Sequence, residues 1–541
     1  MTAKASSTHK LAVIGFAASL AAYLVTAALA ATVKAPTVLG GVRLAAFAVA
    51  LVSLGLLAAD SMVWAIARNT IAQAIRVRVA FVIMAVYLVL VPAIPFVVKG
   101  DGTLRGLLHV VVAYSLIVAG MLLGVLTLAV STTTLWSEFR EKQIFLLEAK
   151  PIRRWQVLLG KLVGILLINV ALLAFMGAVT WGSVAYLASR TEWNDKTWTE
   201  RSRRDAREQV LIARRTLLPD PPPQSDLDDF VRKNLDWRVQ EIERSGRLPQ
   251  AAQDAPDPAT RKAIIRREAA NQLAEELFKL INAVRPLYTR RWHFSGFSIP
   301  RQHDINLTLR FKFFSSDRKS EEPDHVRWEF GVPNRTKAYR YDDAFLPDEV
   351  HEVQIPADTI DAEGGLEVRF TNVEPRRPTL IFSEADSLQV LVPVGGFGWN
   401  LTRGLALIFI EVLFIAVLGL FCSTFLSFPV SPIVALSVLL LIFLVSSIRY
   451  QFEKGFTMDQ NKESTVAQIA EKATRIIAWV AHTVLPPFDK YSPSALVSSG
   501  EEVSPGMLLD AAWSIALAYG GLLMLAGAYI FERREIATTL Q

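Results

Sequence analysis

The chain has 541 residues, 52% of them hydrophobic and 20% charged, with a net charge of +6 and a mean hydropathy of +0.32. The apolar residues fall in blocks with the charges between them, so the composition implies two solvents and excludes a single water-soluble domain. The one cysteine, Cys422, lies inside an apolar block, which excludes an intrachain disulfide framework.

Crossing about 30 Å of hydrocarbon takes about 20 apolar helical residues. Eight segments reach that length, at about 11–33, 41–66, 77–98, 106–135, 156–188, 402–426, 431–448 and 507–531. The first is too long, and too closely followed by the second, to read as a cleaved signal peptide. In the fourth, Gly120 and Gly124 form a small-xxx-small pair, which suits close helix packing and equally suits lipid-facing filler. Arg68, Arg76 and Arg78 follow the second span, and Arg533 and Arg534 follow the last. Arg140, Lys142, Lys150, Arg153 and Arg154 separate spans four and five, with Lys161 at the membrane edge. The alternate short loops hold only Lys34 in one, and Lys99 and Arg105 in the other. Positive charge collects in cytoplasmic loops, so the expected protein sits in the cell (inner) membrane with both termini cytoplasmic and 190–400 outside. Arg201, Arg203, Arg204 and Arg207 lie beyond the fifth span, in a long translocated segment to which the rule does not apply. Segment 190–400 holds 33 Lys+Arg against 35 Asp+Glu. The net positive charge therefore belongs to the membrane part and gives no support to nucleic-acid binding.

The loop between spans four and five, LWSEFREKQIFLLEAKPIRRWQVLLGK, carries the most information. Residues 137–149 can form a short amphipathic helix in which Phe139, Ile144 and Leu147 are set among Glu138, Arg140, Glu141 and Lys142. Pro151 ends it, Arg153 and Arg154 follow, and the chain returns at once into the membrane. A loop of this kind anchors two helices, and a short surface helix is also what a soluble partner would grip. The run resembles the coupling-helix region of ABC-2 type transporter permeases. The branch it resembles is that of permeases associated with multicopper-enzyme maturation, such as the nitrous oxide reductase system. The matching positions are Glu138, Glu141-Lys142-Gln143-Ile144, Lys150-Pro151-Ile152-Arg153-Arg154-Trp155-Gln156 and Leu158-Leu159-Gly160-Lys161, with Gln143 where the family has Thr. Ile66 to Arg78 resembles the family's amphipathic connecting helix, and Phe531-Glu532-Arg533-Arg534-Glu535-Ile536 its C-terminal end.

The resemblance implies a six-helix core. Residues 1–63 would be an N-terminal two-helix addition, and 64–189 the first half of the core, with the coupling loop at 137–155. Residues 190–400 would be an extracytoplasmic insert and 401–541 the second half. By the same resemblance, the coupling loop would dock a separate cytoplasmic ATPase that binds ATP, and permeases would pair as a homodimer or pseudo-dimer. Copper-enzyme maturation is the weakest part of what the resemblance implies, because the chain has no Cys, Met or His cluster to handle copper.

Within the insert, 190–290 reads as helical, broken at Pro221-Pro222-Pro223, with Ile264, Ile265, Leu273, Leu277, Leu280, Ile281 and Val284 near one face of its last helix. From 291 to 400 the period becomes two: Ile305, Leu307, Leu309, Phe311 and Phe313 alternate with polar residues, as do Val326, Trp328 and Phe330, and Leu366, Val368 and Phe370. Short alternating strands separated by turn residues predict an antiparallel β-sandwich, with Trp292 and Trp328 in its core. The Asn-x-Ser/Thr matches at Asn306, Asn334 and Asn400 read as chance. Val466, Ile469, Ala473, Ile476, Ile477, Val480 and Val484 predict an extracytoplasmic amphipathic helix over 464–485, lying on the membrane or packed on the bundle.

The fold expected is therefore mainly α: a polytopic helical membrane protein with about eight transmembrane helices and an inserted extracytoplasmic α+β domain. The seven histidines show no metal-ligand spacing, and Gly160-Lys161 lacks a preceding phosphate-cradling loop. No catalytic residue, cofactor or metal is expected in this chain, and ATPase activity belongs to the partner. Glu411, about ten residues into the sixth span, is expected to face the bundle interior or be protonated, with a structural hydrogen bond to a neighbouring helix favoured over a substrate or proton contact. The reading that follows is an exporting ABC-2 permease subunit. One alternative is a mechanotransmitter acting on an external partner without transport; another is a non-ABC receptor or scaffold with a glycan- or protein-binding sandwich.

Overall fold

The computed structural model describes the chain from Ala12 to Arg533 apart from residues 24, 27–35, 77, 99–101, 141–152, 194–195, 222–223, 246–256, 298–305, 317–321, 375–377, 383–386 and 454–484. Two compact units emerge: Met1–Ala213 with Gly395–Gln541, and Arg214–Val394. The helices in chain order are α1 (Ala12–Tyr23), α2 (Pro36–Ala58), α3 (Ser61–Arg76), α4 (Val79–Val97), α5 (Leu104–Arg140), α6 (Arg154–Ser189) and α7 (Glu200–Gln209). Then come α8 (Gln224–Ser245), α9 (Pro258–Asn282), α10 (Phe397–Phe425), α11 (Val430–Glu453) and α12 (Pro493–Ser498). The last is α13 (Pro505–Arg533), whose middle, Ala512–Gly520, is a π-helix.

Five of these helices, α4, α5, α6, α10 and α13, are long and apolar enough to cross a membrane. Helix α1 and Val430–Val445 of α11 are apolar but shorter. The expected second span at 41–66 is not one helix. It ends at Ala58, and the chain turns by 77° into α3. The turn has a local cause: Asp60 Oδ1 accepts the Met62 N–H at 2.8 Å and starts a new helix. Helix α3 buries Val63, Ala67 and Thr70 and leaves Arg68 and Arg76 exposed, an amphipathic helix rather than a span.

Helix lengths sort the bundle by depth. At 1.5 Å per residue, the 19 residues of α4 extend about 28 Å, the thickness of the hydrocarbon. The 37 residues of α5 and 36 of α6 extend about 55 Å. The Tyr87 hydroxyl aligns the middle of α4 with both, lying 3.1 Å from Ser115 O and 2.8 Å from Thr180 Oγ1. Farther along, Thr127 donates to Asn169 Oδ1 at 3.1 Å, and Lys161 Nζ to Thr134 O at 3.1 Å. Val79, the first residue of α4, lines one cavity with Thr127 and Asn169. The last turns of α5 and the first turns of α6 therefore overhang the start of α4. In the α5 overhang, Thr132, Thr133 and Thr134 return their hydroxyls to carbonyls one turn back, so a run of poor helix formers stays helical.

Helix α3 lies along the α6 overhang. A Cβ on Gly160 would stand 2.9 Å from Val63 O and 2.7 Å from Ile66 Cβ; on Gly164 it would stand 2.9 Å from Ala67 O and 2.8 Å from Thr70 Cβ. These two glycines, four apart, let the helices approach backbone to side chain. The pair anticipated at Gly120 and Gly124 faces α10, near Ile408 and Ile415, at looser distances of 4.0 and 3.5 Å. Helices α1 and α2 pack on α13 through Phe16, Ala46 and Ala50 against Trp513 and Leu517.

At the opposite end of the bundle, residues 485–504 fold into its top. His109 Nδ1 lies 2.9 Å from Ser498 O. Asn400 donates to Glu501 O at 2.6 Å and accepts from Val503 N–H at 2.8 Å, while Arg403 pairs with Glu502 at 3.0 Å. Asn400 is buried, which agrees with its Asn-x-Thr match being chance. Gly500, at φ +70°, would clash with Gln209 O if it carried a Cβ. The predicted helix at 464–485 lies, but for its last residue, outside the described residues.

The second unit holds the helical pair α8 and α9, which meet through Ile242, Ile265 and Ala269. Its eight longer strands, one before this helical pair and seven after it, are β1 (Ile212–Leu217), β2 (Thr289–Phe294), β3 (Asn306–Phe311), β4 (Asp324–Phe330), β5 (Tyr339–Phe345), β6 (His351–Pro356), β7 (Leu366–Asn372) and β8 (Leu388–Gly396). They form two four-stranded sheets, ordered β6-β3-β8-β1 and β2-β7-β4-β5. Antiparallel registers such as Leu309 opposite Val353 and Phe370 opposite Trp328 put the alternating apolar residues on one face. Both faces feed one core, with the Phe311 and Trp328 ring centroids 4.6 Å apart across it. Trp292 and Trp328 are buried there, as the period-two pattern predicts.

Candidate functional site

The coupling loop would leave the bundle from the end of α5 and re-enter at the start of α6. Arg140 is exposed in the last turn of α5, its guanidinium 5.2 Å from the Trp136 ring centroid. Residues 137–140, expected to begin a separate short helix, instead continue α5 without a break; Glu138 lies in that turn. Glu141, Lys142, Gln143, Lys150 and Pro151 lie outside the described residues.

What the described residues do reveal is how the two flanks of that loop are fixed. Arg153 is the N-cap of α6, and its backbone N–H donates to Gln156 Oε1 at 2.8 Å. Gln156 Nε2 in turn donates to Asp60 Oδ2 at 2.7 Å. Since the other oxygen of Asp60 caps α3, one carboxylate ties the start of α3 to the start of α6. Arg154 donates to Phe531 O at 2.7 Å and to Glu532 O at 3.4 Å. A guanidinium on the last carbonyls of α13 satisfies acceptors that lack an intrahelical partner and complements the helix dipole. Phe531 is itself buried with Leu135, Val157 and Leu158. Lys161 is fully buried, its ammonium on Thr134 O of α5. Four helices, α3, α5, α6 and α13, are thus joined at one end by polar contacts around a small apolar core.

Sequence reasoning placed Arg153 and Arg154 here as surface charges for a partner. The structure makes Arg154 a clasp between α6 and α13, and Arg153 a helix cap through its backbone. Asp60 was not anticipated. Its signal was available, an acid just before Ser61 at the start of an amphipathic run, but the apolar residues on either side hid it in a longer span.

Glu411 is separate from this junction. It lines a cavity of about 770 Å³ with Gly120, Gly124 and Met121 of α5, Leu440 and Phe443 of α11, and Tyr491. Among the described residues no hydrogen-bond partner or ion pair reaches its carboxyl. The polar tether at this depth runs elsewhere, from Tyr491 Oη to Asp510 at 2.6 Å, with Lys490 on the same carboxylate at 2.5 Å.

No family model, curated protein or solved structure matches the chain.

Proposed function

We propose that this chain is the membrane-spanning permease subunit of an ABC-2 type transporter, energised by a separate cytoplasmic ATPase and working as an exporter. The observation that supports it most is the junction of α3, α5, α6 and α13. A loop that receives force from outside the bundle needs both flanks fixed to the helices that are to move. Here the α6 flank is fixed to α3 through Asp60 and Gln156, to α13 through Arg154, and to α5 through Lys161. In this reading Arg68, Arg76, Arg140 and Arg154 face the cytoplasm, and Arg214–Val394 lies outside. The two facing sheets of that unit favour one further reading, a mechanotransmitter in which the same motion acts on an external partner.

The test is co-purification from membranes with the ATPase encoded beside this gene. Reversing charge at Glu138 and Glu141 together is expected to abolish co-purification and ATPase stimulation while the variant still inserts, because complementary charge mainly sets docking specificity. Undiminished co-purification and stimulation would reduce the loop to a topology anchor.

A further inference from the structure

A second cavity, of about 460 Å³, lies between α3, α4, α5 and α6. Its size is that of a small-ligand site, and its lining divides cleanly. Gln73 and Arg76 of α3, Thr133 and Ser137 of α5 and Asn169 of α6 supply polar groups, while Val130 and Ile168 supply apolar wall. Among the described residues no Asp or Glu lines it. Asn169 is 1% exposed; its Oδ1 accepts from Thr127, and among the described residues its Nδ2 has no hydrogen-bond partner. A buried N–H without an acceptor costs about 1–3 kcal/mol, and this one belongs to a side chain of the cavity lining.

The depth of the cavity identifies the occupant. It lies at the first residue of α4, where a helix just long enough for the hydrocarbon begins. Ile75, Val79 and Val82 stand exposed beside it, an apolar strip continuous with the exposed side of α4. A cation and an unmet donor among the lining side chains, with an apolar strip beside them, match an anionic head group joined to hydrocarbon chains. Basic pockets between helices at the membrane surface bind such head groups. We propose that this cavity holds the phosphate-bearing head group of an anionic phospholipid, contacted by Arg76, Gln73 and Asn169, with its acyl chains along α4. This requires only that the bundle spans a bilayer and is independent of the permease reading.

The experiment uses the full chain, purified and delipidated, then exposed to phosphatidylglycerol or phosphatidylcholine and analysed by native mass spectrometry and thermal melting. Phosphatidylglycerol is expected to be retained and to raise the melting midpoint, and phosphatidylcholine to do neither. Arg76→Gln and Asn169→Leu should each weaken phosphatidylglycerol retention by about tenfold, the loss of one hydrogen bond to a charged group. Should Asn169→Leu fail to fold, Gln73→Leu takes its place beside Arg76→Gln. Equal retention of both lipids, or unchanged retention in the variants, would overturn the proposal. So would equal stabilisation by inorganic phosphate or glycerol 3-phosphate, which would make this a site for a soluble phosphate.

Discussion

A single carboxyl, Glu411, illustrates how much a residue's meaning depends on its neighbours. Its position alone suggested a hydrogen bond between helices; in the structure it lines a cavity, with no partner among the described residues. A group that makes no bond contributes no stability by its presence, and an ionised carboxylate in hydrocarbon costs about 2.5–3.5 kcal/mol. Glu411→Leu is therefore expected to leave the melting midpoint of the detergent-solubilised protein unchanged or higher. A fall of several degrees would mean that a residue outside the described set, or a second copy, bonds to it. The residues that hold the junction of α3, α5, α6 and α13, and the α5–α6 contact beside it, were unevenly legible for a physical reason. Lys161 and Arg154 announce themselves by charge beside an apolar run. Asp60 and Asn169 are single polar residues whose partners, Gln156 and Thr127, are 96 and 42 positions away, and no spacing rule reaches that far.

Elements were easier to read than junctions, because hydropathy integrates over about 20 residues and single errors average out. The same averaging hid the break after Ala58: Met62, Val63, Trp64 and Ile66 continue the apolar run while the backbone has already turned by 77°. The alternating strands of the second unit were legible because a buried face repeats every two residues. What seats α3 was not visible as such, since Gly160 was read only as part of a motif and Gly164 was not singled out. Replacing either by Leu should force α3 off α6 and cost about 1–3 kcal/mol, the range for overpacked contacts. Gly182→Ala serves as the control, because a Cβ there meets nothing within 4 Å. Thermal melting in detergent should show a lowered midpoint for Gly160→Leu and Gly164→Leu and none for Gly182→Ala. Equal midpoints in all three would mean that α3 is not seated on those glycines.

For the whole molecule, the proposed orientation makes a direct prediction. In a Cys422→Ser background, cysteines at Ser202 and Ser245 should react with an impermeant thiol reagent applied to intact cells. A cysteine at Arg140 should react only after the membrane is opened. The reverse pattern would invert the protein and remove the ATPase from the side where the proposal needs it. Whichever face the reagent finds, the lengths of α5 and α6 have a mechanical consequence. A straight rod of about 55 Å, gripped near one end, swings its far end sideways by about 1 Å for every degree of tilt. Because α6 is clasped to three neighbours within its first two turns, a nudge of a few degrees there becomes a gap of several ångströms at the other side of the bilayer, with no helix needing to bend.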